Sequence, residues 1–194
     1  MGAYTVGKIR IETIVPIKMI QSLYIESQEN THVNQALDAF IFEDDVENAL
    51  FHINENAGLS VWVEEILLYT GIIVSIQITQ EGNEYRVSLR ASSAIVKMDC
   101  EKKSRTFQNI HDTYRNVIRG VLKNTEGAKM NFHVEDREIG APLYQIEETN
   151  WEFIKRIVSH LNATVVSSGL SSTPVMYIGN PRGTVYSMGD LFIL

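Results

Sequence analysis

The chain has 194 residues, 44% hydrophobic and 21% charged, a composition typical of packed globular proteins rather than disordered ones. This length accommodates one large domain or two small ones. The net charge of −7 opposes electrostatic binding to duplex nucleic acid, which needs clustered lysine and arginine. The only dense basic run is "EKKSR" at residues 101–105, so we expect no specific nucleic-acid binding.

The single cysteine, Cys100, excludes an intramolecular disulfide and a cysteine-rich zinc site. Its strand-like context predicts a small buried hydrophobic residue rather than a nucleophile. The N-terminus lacks a basic-then-apolar signal, and no apolar run approaches the roughly 18 residues of a membrane span. The sequence thus predicts a soluble protein of a reducing cytosol, without membrane insertion.

The first hundred residues contain mostly short β-prone runs separated by polar or glycine-containing breaks. These runs are residues 8–15, 23–25, 38–43, 47–53 and 59–65. Many short strands with frequent turn signals indicate a β-barrel or β-sandwich.

The clearest predicted element is a β-hairpin within residues 65–98. Apolar residues alternate with polar ones on both arms, and "EGNE" at 81–84 supplies a Gly-Asn turn. Gly71, inside the first arm, predicts a bulge or a sharp bend.

After residue 105 the hydrophobic period changes to that of helices. Residues 112–124 carry apolar positions on one helical face, with Asp112 or Thr113 as the N-cap. A strand is predicted at 127–134, and a second helix follows at Thr149, which forms a capping box with Glu152. The apolar face of this helix comprises Trp151, Ile154, Ile157, Val158 and Leu161, with Phe153 at its margin. "ATVV" at 163–166 then predicts another strand.

The last segment, residues 167–194, is rich in serine, glycine and proline and carries two predicted strands, near 175–178 and 191–194. Chain termini usually end in polar residues, whereas this one ends in "LFIL". Either the last strand pairs with another element or the chain is a fragment of a longer protein, and we expect a fragment.

Motifs for catalysis or metal binding are absent from the sequence. The five histidines show no metal-ligand spacing, and neither a nucleophile elbow nor a phosphate-binding loop occurs. Glu147, Glu148 and Glu152 cluster at the start of the second helix, where the helix dipole favours negative charge. A glycosidase with paired carboxylates remains an alternative. We otherwise expect no catalytic residue, cofactor or metal.

Two segments in this order resemble a known family. "KMDCEKKSRTFQNIHDTYRNVIRGVLKN" (97–124) resembles a strand, a short basic linker, "S-R-x-F-Q" and a helix. "LYQIEETNWEFIKRIVSHLNATVV" (143–166) resembles the signature "Q-Y-x-E-T-x-W-E-F-L-x-R-L". Both occur in hub proteins of contractile injection systems, which include phage late control protein D, tailocin hubs and the N-terminal part of the type VI secretion spike protein. The chain departs from the signature at Ile146, Ile154 and Ile157.

The resemblance covers roughly residues 5–185 and implies an α+β, β-rich fold. It implies a tube-type β-barrel at 1–100, an α/β linking segment at 101–166 with two amphipathic helices, and the start of a second barrel at 167–194. The implied role is a structural baseplate hub, without catalysis, that joins the hexameric tail tube to the trimeric central spike of a phage tail or tailocin. Expected partners are two further copies in a homotrimer, the tube protein, the spike protein and other baseplate proteins. Assembly would take place in the bacterial cytoplasm, as part of a phage-tail-like particle.

Site residues can be named only as packing or interface candidates. Trp151, Phe153, Ile154, Ile157 and Leu161 are assigned to the second helix's packing face. Arg105 and Phe107 lie in the linker "EKKSRTF", which we expect to position the barrel relative to the helical segment. Arg105 is expected to pair with an acidic group on the same or the next subunit.

Two alternative functions remain. The first is a tail-associated cell-wall hydrolase, with Asp136, Glu147, Glu148 and His160 as candidate residues. The second is a carbohydrate- or protein-binding β domain of a tail accessory protein.

Overall fold

The structure is a computed structural model, and it describes residues 2–6, 9–47 and 57–180. Within these ranges the chain forms twelve strands and two α-helices, in the β-rich α+β class that the sequence predicts. The strands divide into a seven-stranded sheet built from the first part of the chain and two smaller sheets that follow.

The seven-stranded sheet has the order β1-β2-β5-β6-β7-β4-β3, and all its neighbours pair antiparallel. Its strands are β1 (Gly2–Val6), β2 (Ile9–Thr13), β3 (Ile17–Glu26), β4 (Asn34–Ile41), β5 (Gly58–Val63), β6 (Ile66–Glu81) and β7 (Glu84–Ser92). The two end strands, β1 and β3, come close to each other, so the sheet curls into a half-barrel. We call this sheet the barrel.

One face of each barrel strand supplies the barrel core, because side chains alternate along a strand. In β4 the residues Gln35, Leu37, Ala39 and Ile41 are buried, and the residues between them are not. The same alternation places Val87 and Leu89 of β7 in the core.

The predicted hairpin corresponds to β6 and β7, with Gly82 in the turn at φ +64°. Register shifts in β6 flank Gly71, at its pairing with β5 and again with β7. The buried ring of Tyr69 lies over Gly71: a Cβ atom there would lie 2.0 Å from the Tyr69 hydroxyl. Glycine is therefore the only residue that leaves room for this ring.

The remainder of the described chain forms the α/β segment. It contains β8 (Lys102–Phe107), α1 (Tyr114–Leu122), β9 (Lys129–Phe132), β10 (Leu143–Thr149), α2 (Asn150–Ser159), β11 (Val165–Ser167) and β12 (Val175–Ile178). Strands β8 and β10 pair antiparallel, while β12 pairs antiparallel with β11 and parallel with β9. The two helices contact each other, and their apolar faces form a second core.

Both helices begin at threonine caps. Thr113 Oγ1 accepts a hydrogen bond from the Asn116 amide at 3.3 Å, which settles the choice between Asp112 and Thr113. The capping box predicted for α2 is present: Glu152 donates its amide to Thr149 Oγ1 at 3.1 Å, and Thr149 donates its amide to the Glu152 carboxylate at 2.9 Å.

The basic run at 101–107 is a strand rather than the predicted linker. β8 pairs along its length with β10, which is some forty residues later in the chain. The sequence did not show this pairing because alternating charged residues on a half-exposed strand carry little hydrophobic signal.

Cys100 is exposed, so the prediction of a buried cysteine is wrong. It follows a 3-10 helix, Ala94–Met98, rather than lying in a strand, and its thiol donates to the Val96 carbonyl at 3.2 Å. The buried residues of that turn are Ala94, Ile95 and Met98.

Two predicted strands fall partly or wholly outside the described residues, those at 47–53 and 191–194. The strand predicted at 175–178 is β12, which belongs to the sheet of the α/β segment. The start of a second barrel at residues 167–194 stays a prediction.

Candidate assembly site

The barrel and the α/β segment meet through the loop between β3 and β4, which binds the edge of β11. Asn30 donates its amide to the Val165 carbonyl at 2.7 Å and accepts the Val165 amide on its side-chain oxygen at 2.9 Å. Asn30 has φ +60°, a conformation that asparagine tolerates better than most residues. Ser167 Oγ donates to the Thr31 carbonyl at 2.9 Å. These contacts join the two parts of the chain across more than 130 residues of sequence, and we call them the junction.

Asp99 adds side-chain bonds to the junction from both parts of the chain. Its Oδ2 lies 3.0 Å from His32 Nε2 of the barrel loop, and its Oδ1 accepts from Thr149 Oγ1 at 2.5 Å. The His32 ring stacks on Trp151 of α2 with centroids 5.2 Å apart, and Lys155 Nζ lies 5.6 Å from the Trp151 ring centroid. One carboxylate therefore links the barrel loop to the N-cap of α2.

The pKa of Asp99 is lower than its usual value. Burial acts in the opposite direction and raises this pKa, but the hydrogen bonds from Thr149 and His32, with the charges of His32 and Lys155, outweigh it. The ionised carboxylate is therefore the form that the junction stabilises.

The packing candidates of α2 lie in the core of the α/β segment. Trp151 is 1% exposed, and Ile154 and Ile157 are fully buried. Phe153, placed at the margin of this face by the sequence, is also fully buried and stacks on Phe107 with centroids 5.5 Å apart. Leu161 lies after α2 and packs partly buried against the same cluster.

Arg105 lies on β8, opposite Gln145 of β10, and its guanidinium binds amide oxygens. Its Nε donates to the Gln145 side-chain oxygen at 2.6 Å, and its guanidinium also donates to Asn150 Oδ1. Gln145 is fully buried and donates in turn to the Glu148 carbonyl at 2.8 Å. An acidic partner for Arg105 on a neighbouring subunit stays a prediction.

A bulge interrupts β10 where the register with β8 shifts between Gln145 and Glu148. Glu147 has φ +49° there, and Ser104 holds it by donating to the Glu147 carboxylate at 3.1 Å and accepting its amide at 3.2 Å. The side chains of Tyr144 and Ile146 are 51% and 67% exposed on this strand. Bulges of this kind often redirect side chains at functional surfaces.

Next to this bulge is a shallow groove of about 540 Å³. Its lining includes Ile139, Pro142, Tyr144, Ile146 and the polar residues Tyr114, Glu148, Arg156 and His160. The groove and the exposed side chains of β10 form the candidate assembly surface. No pattern in the sequence indicates that these side chains are exposed.

The candidate residues of a hydrolase are engaged in structural contacts. Glu148 accepts two hydrogen bonds from Arg156, at 2.8 and 2.7 Å, and these bonds hold its pKa below the usual value. Asp136 accepts the amides of Arg115 and Arg137, and His160 Nδ1 lies 3.2 Å from the Tyr114 hydroxyl. Glu148 and His160 line the same groove, whereas Asp136 and Glu147 do not line it.

Among the described residues, no group of three or more histidine, cysteine, aspartate or glutamate side chains is arranged to hold a metal ion. A search of the same part of the chain found no helix long and apolar enough to cross a membrane.

Comparison by sequence finds no match, neither to a protein-family model nor to a curated protein. Comparison of structures does find matches. The Escherichia coli c3393 protein, described as a component of the type VI secretion system with structural similarity to the T4 bacteriophage tail proteins gp27 and gp5, matches with a TM-score of 0.69 at 13% identity. The match covers 90% of this chain and 49% of that one.

Two phage-type tail proteins match to a similar extent. The 43 kDa tail protein of prophage MuSo2 from Shewanella oneidensis has a TM-score of 0.67 at 14% identity, covering 87% of this chain and 52% of its own. A tail protein from Neisseria meningitidis MC58 has a TM-score of 0.64 at 11% identity, covering 91% and 50%. This chain thus spans about half the length of these three proteins, and it has the fold of phage tail proteins and of a type VI secretion component.

Proposed function

We propose that the chain is a structural hub of a phage-tail-like particle, which joins the tail tube to the central spike and performs no catalysis. The observation that supports this most directly is the fold, which matches phage tail proteins over 87–91% of the chain. The match to a protein likened to gp27 and gp5 points in the same direction.

The contacts within the chain suit this role. A protein that lies between tube and spike has to keep its two parts in a fixed orientation. The junction does this, because main-chain and side-chain hydrogen bonds join the barrel to the α/β segment. Exposed apolar side chains on β10 offer area for protein contacts. In this proposal three copies assemble in the bacterial cytoplasm around one spike.

The test is affinity capture of the native protein after co-expression with tail tube and spike proteins from the same genome. We expect both to be retained. The paired variant Tyr144→Asp and Ile146→Asp should reduce retention of at least one partner, because charge is introduced into the candidate assembly surface. Leu170→Asp serves as a matched control, since Leu170 is 59% exposed and does not line the groove. Capture of neither partner by the unaltered protein would contradict the proposal.

The same preparation separates a hub from a cell-wall hydrolase. A hub leaves peptidoglycan intact in a zymogram. A cleared zone that disappears in Glu148→Gln would instead indicate hydrolysis and overturn the proposal.

A further inference from the structure

A second groove, of about 690 Å³, lies between the C-terminal end of α1 and strand β9. It shares no lining residue with the candidate assembly surface. Apolar side chains form part of its wall, namely Leu122, Ala128, Met130 and Val175. The proposed hub function does not involve this groove.

The charge of this groove is positive, although the chain carries a net charge of −7. Three exposed cations line it, Arg119, Lys123 and Lys129, and Glu126 is the only carboxylate among its described lining residues. In the described part of the chain, no carboxylate forms an ion pair with any of the three cations. The helix dipole favours Arg119 and Lys123 at the end of α1, but Lys129 lies outside the helix. We call this surface the basic groove, and its excess of positive charge attracts carboxylates.

The strand that lines the basic groove has one free edge. β9 is the last strand of its sheet, whose order is β11-β12-β9. Lys129 donates its amide to the Pro174 carbonyl at 2.8 Å, which directs the main chain of Lys129 towards β12. Alternate residues of a paired strand turn their main-chain groups to opposite sides, so the amides and carbonyls of Met130 and Phe132 point away from β12. Among the described residues, no hydrogen bond to these outward groups is found.

The free edge and the cations lie at the same place. Met130, whose main-chain groups point outward, lines the basic groove between its neighbours Lys129 and Asn131. An unpaired strand edge is a template for pairing with another extended chain. A chain that paired with β9 would lie in the groove, with its side chains beside Arg119, Lys123 and Lys129.

We infer that the basic groove binds an extended acidic segment of a partner protein, which adds as a strand to the free edge of β9. In strand addition, main-chain hydrogen bonds supply affinity and alternate side chains supply specificity. Carboxylates at the alternate positions match the three unpaired cations in charge. A nucleic acid would meet the same cations, but it has no row of amides and carbonyls to pair with the edge at Met130.

Titration of the native protein with a short labelled peptide of alternating valine and glutamate tests this inference. We expect saturable binding by fluorescence anisotropy, weakened by added salt because the cations are exposed. A matched peptide of alternating valine and lysine should not bind. Absence of binding by the glutamate peptide, or equal binding of the two peptides, would overturn the inference. So would displacement of the peptide by single-stranded DNA at an equal concentration of negative charge.

A pair of lysine variants locates the binding site. Lys129→Glu should weaken binding of the glutamate peptide by about tenfold, because it replaces an attraction with a repulsion. Lys102→Glu is the matched control, since Lys102 is also an exposed lysine at the first residue of a short strand but does not line the groove. Equal affinities of the two variants would contradict the assignment.

A proline variant tests strand addition separately from charge. Met130→Pro removes an outward amide and leaves the bonds between β9 and β12 in place, because proline is tolerated where the amide of an edge strand faces outward. We expect the folded variant, checked by circular dichroism, to bind the glutamate peptide at least about fivefold more weakly. Unchanged affinity in the folded variant would exclude pairing at this edge.

Discussion

Asp99 has an uncommon position, because a single side chain accepts hydrogen bonds from the barrel loop and from the N-cap of α2. The carboxylate is 31% exposed, so water screens part of the interaction. The capping box of Thr149 and Glu152 could be predicted because its residues are three apart. The pair of His32 and Asp99 could not, since 67 residues separate its members and neither is in a recognisable motif.

Stability should depend on the ionisation of Asp99. Its pKa in the folded protein is below the usual 3.8, so the carboxylate stabilises the native state above that value and loses this effect as the pH falls through the lower folded pKa. Asp99→Asn should lower the free energy of unfolding at pH 7 by about 1–2 kcal/mol. Denaturant titrations should show this difference shrinking below about pH 4. A difference that is constant from pH 7 to pH 3 would argue against the role of the charge, and Asp44→Asn, at an exposed position, serves as the control.

Trp151 should contribute more to stability than any exposed aromatic residue. Because it is 1% exposed in the core and also stacks on His32, Trp151→Ala should reduce the free energy of unfolding by about 3–5 kcal/mol. Tyr144→Ala, at a side chain 51% exposed, should cost less than about 1 kcal/mol. If chemical denaturation gave the same loss of unfolding free energy for Trp151→Ala and Tyr144→Ala, Trp151 would not be packed in the core as described.

At the level of elements, strong local periodicity predicted the helices and the hairpin correctly. Elements with weak or mixed patterns were missed or misplaced. β1 carries a short run with glycine and alanine, and β8 is a strand in which charged residues alternate with small polar ones. The β10 bulge was also missed, because it depends on pairing with a strand distant in sequence and on the positive φ of Glu147.

Substitution of Gly71 in β6 tests whether the Tyr69 ring packs over this residue. Gly71→Ala places a methyl group where the Tyr69 hydroxyl and the Ser92 carbonyl lie, so it should destabilise the protein by about 1–3 kcal/mol. Gly58→Ala, on the paired strand, meets only the Gly71 carbonyl oxygen at 3.7 Å and should be neutral or slightly stabilising. Thermal unfolding of the two variants compares them directly, and equal effects would show that Tyr69 does not occupy the space over Gly71.

At the level of the whole molecule, the barrel and the α/β segment have separate cores joined at the junction. The sequence predicts the β-rich class and the resemblance to tail proteins. Both family signatures, at 97–124 and 143–166, include a helix with a clear hydrophobic period, which makes them recognisable. The candidate assembly surface could not be expected from the sequence, since the exposure of its side chains depends on how distant strands pair. Ile146, for example, departs from the signature, and nothing in the neighbouring sequence indicates that its side chain is 67% exposed.

The most direct test of the proposed hub is the stoichiometry of the native protein bound to its spike, measured by native mass spectrometry of the co-purified complex. We predict three copies of this protein for each trimeric spike, as the proposed hub requires, an arrangement that cyclic symmetry favours. A stable monomer that associates with neither spike nor tube would contradict the account.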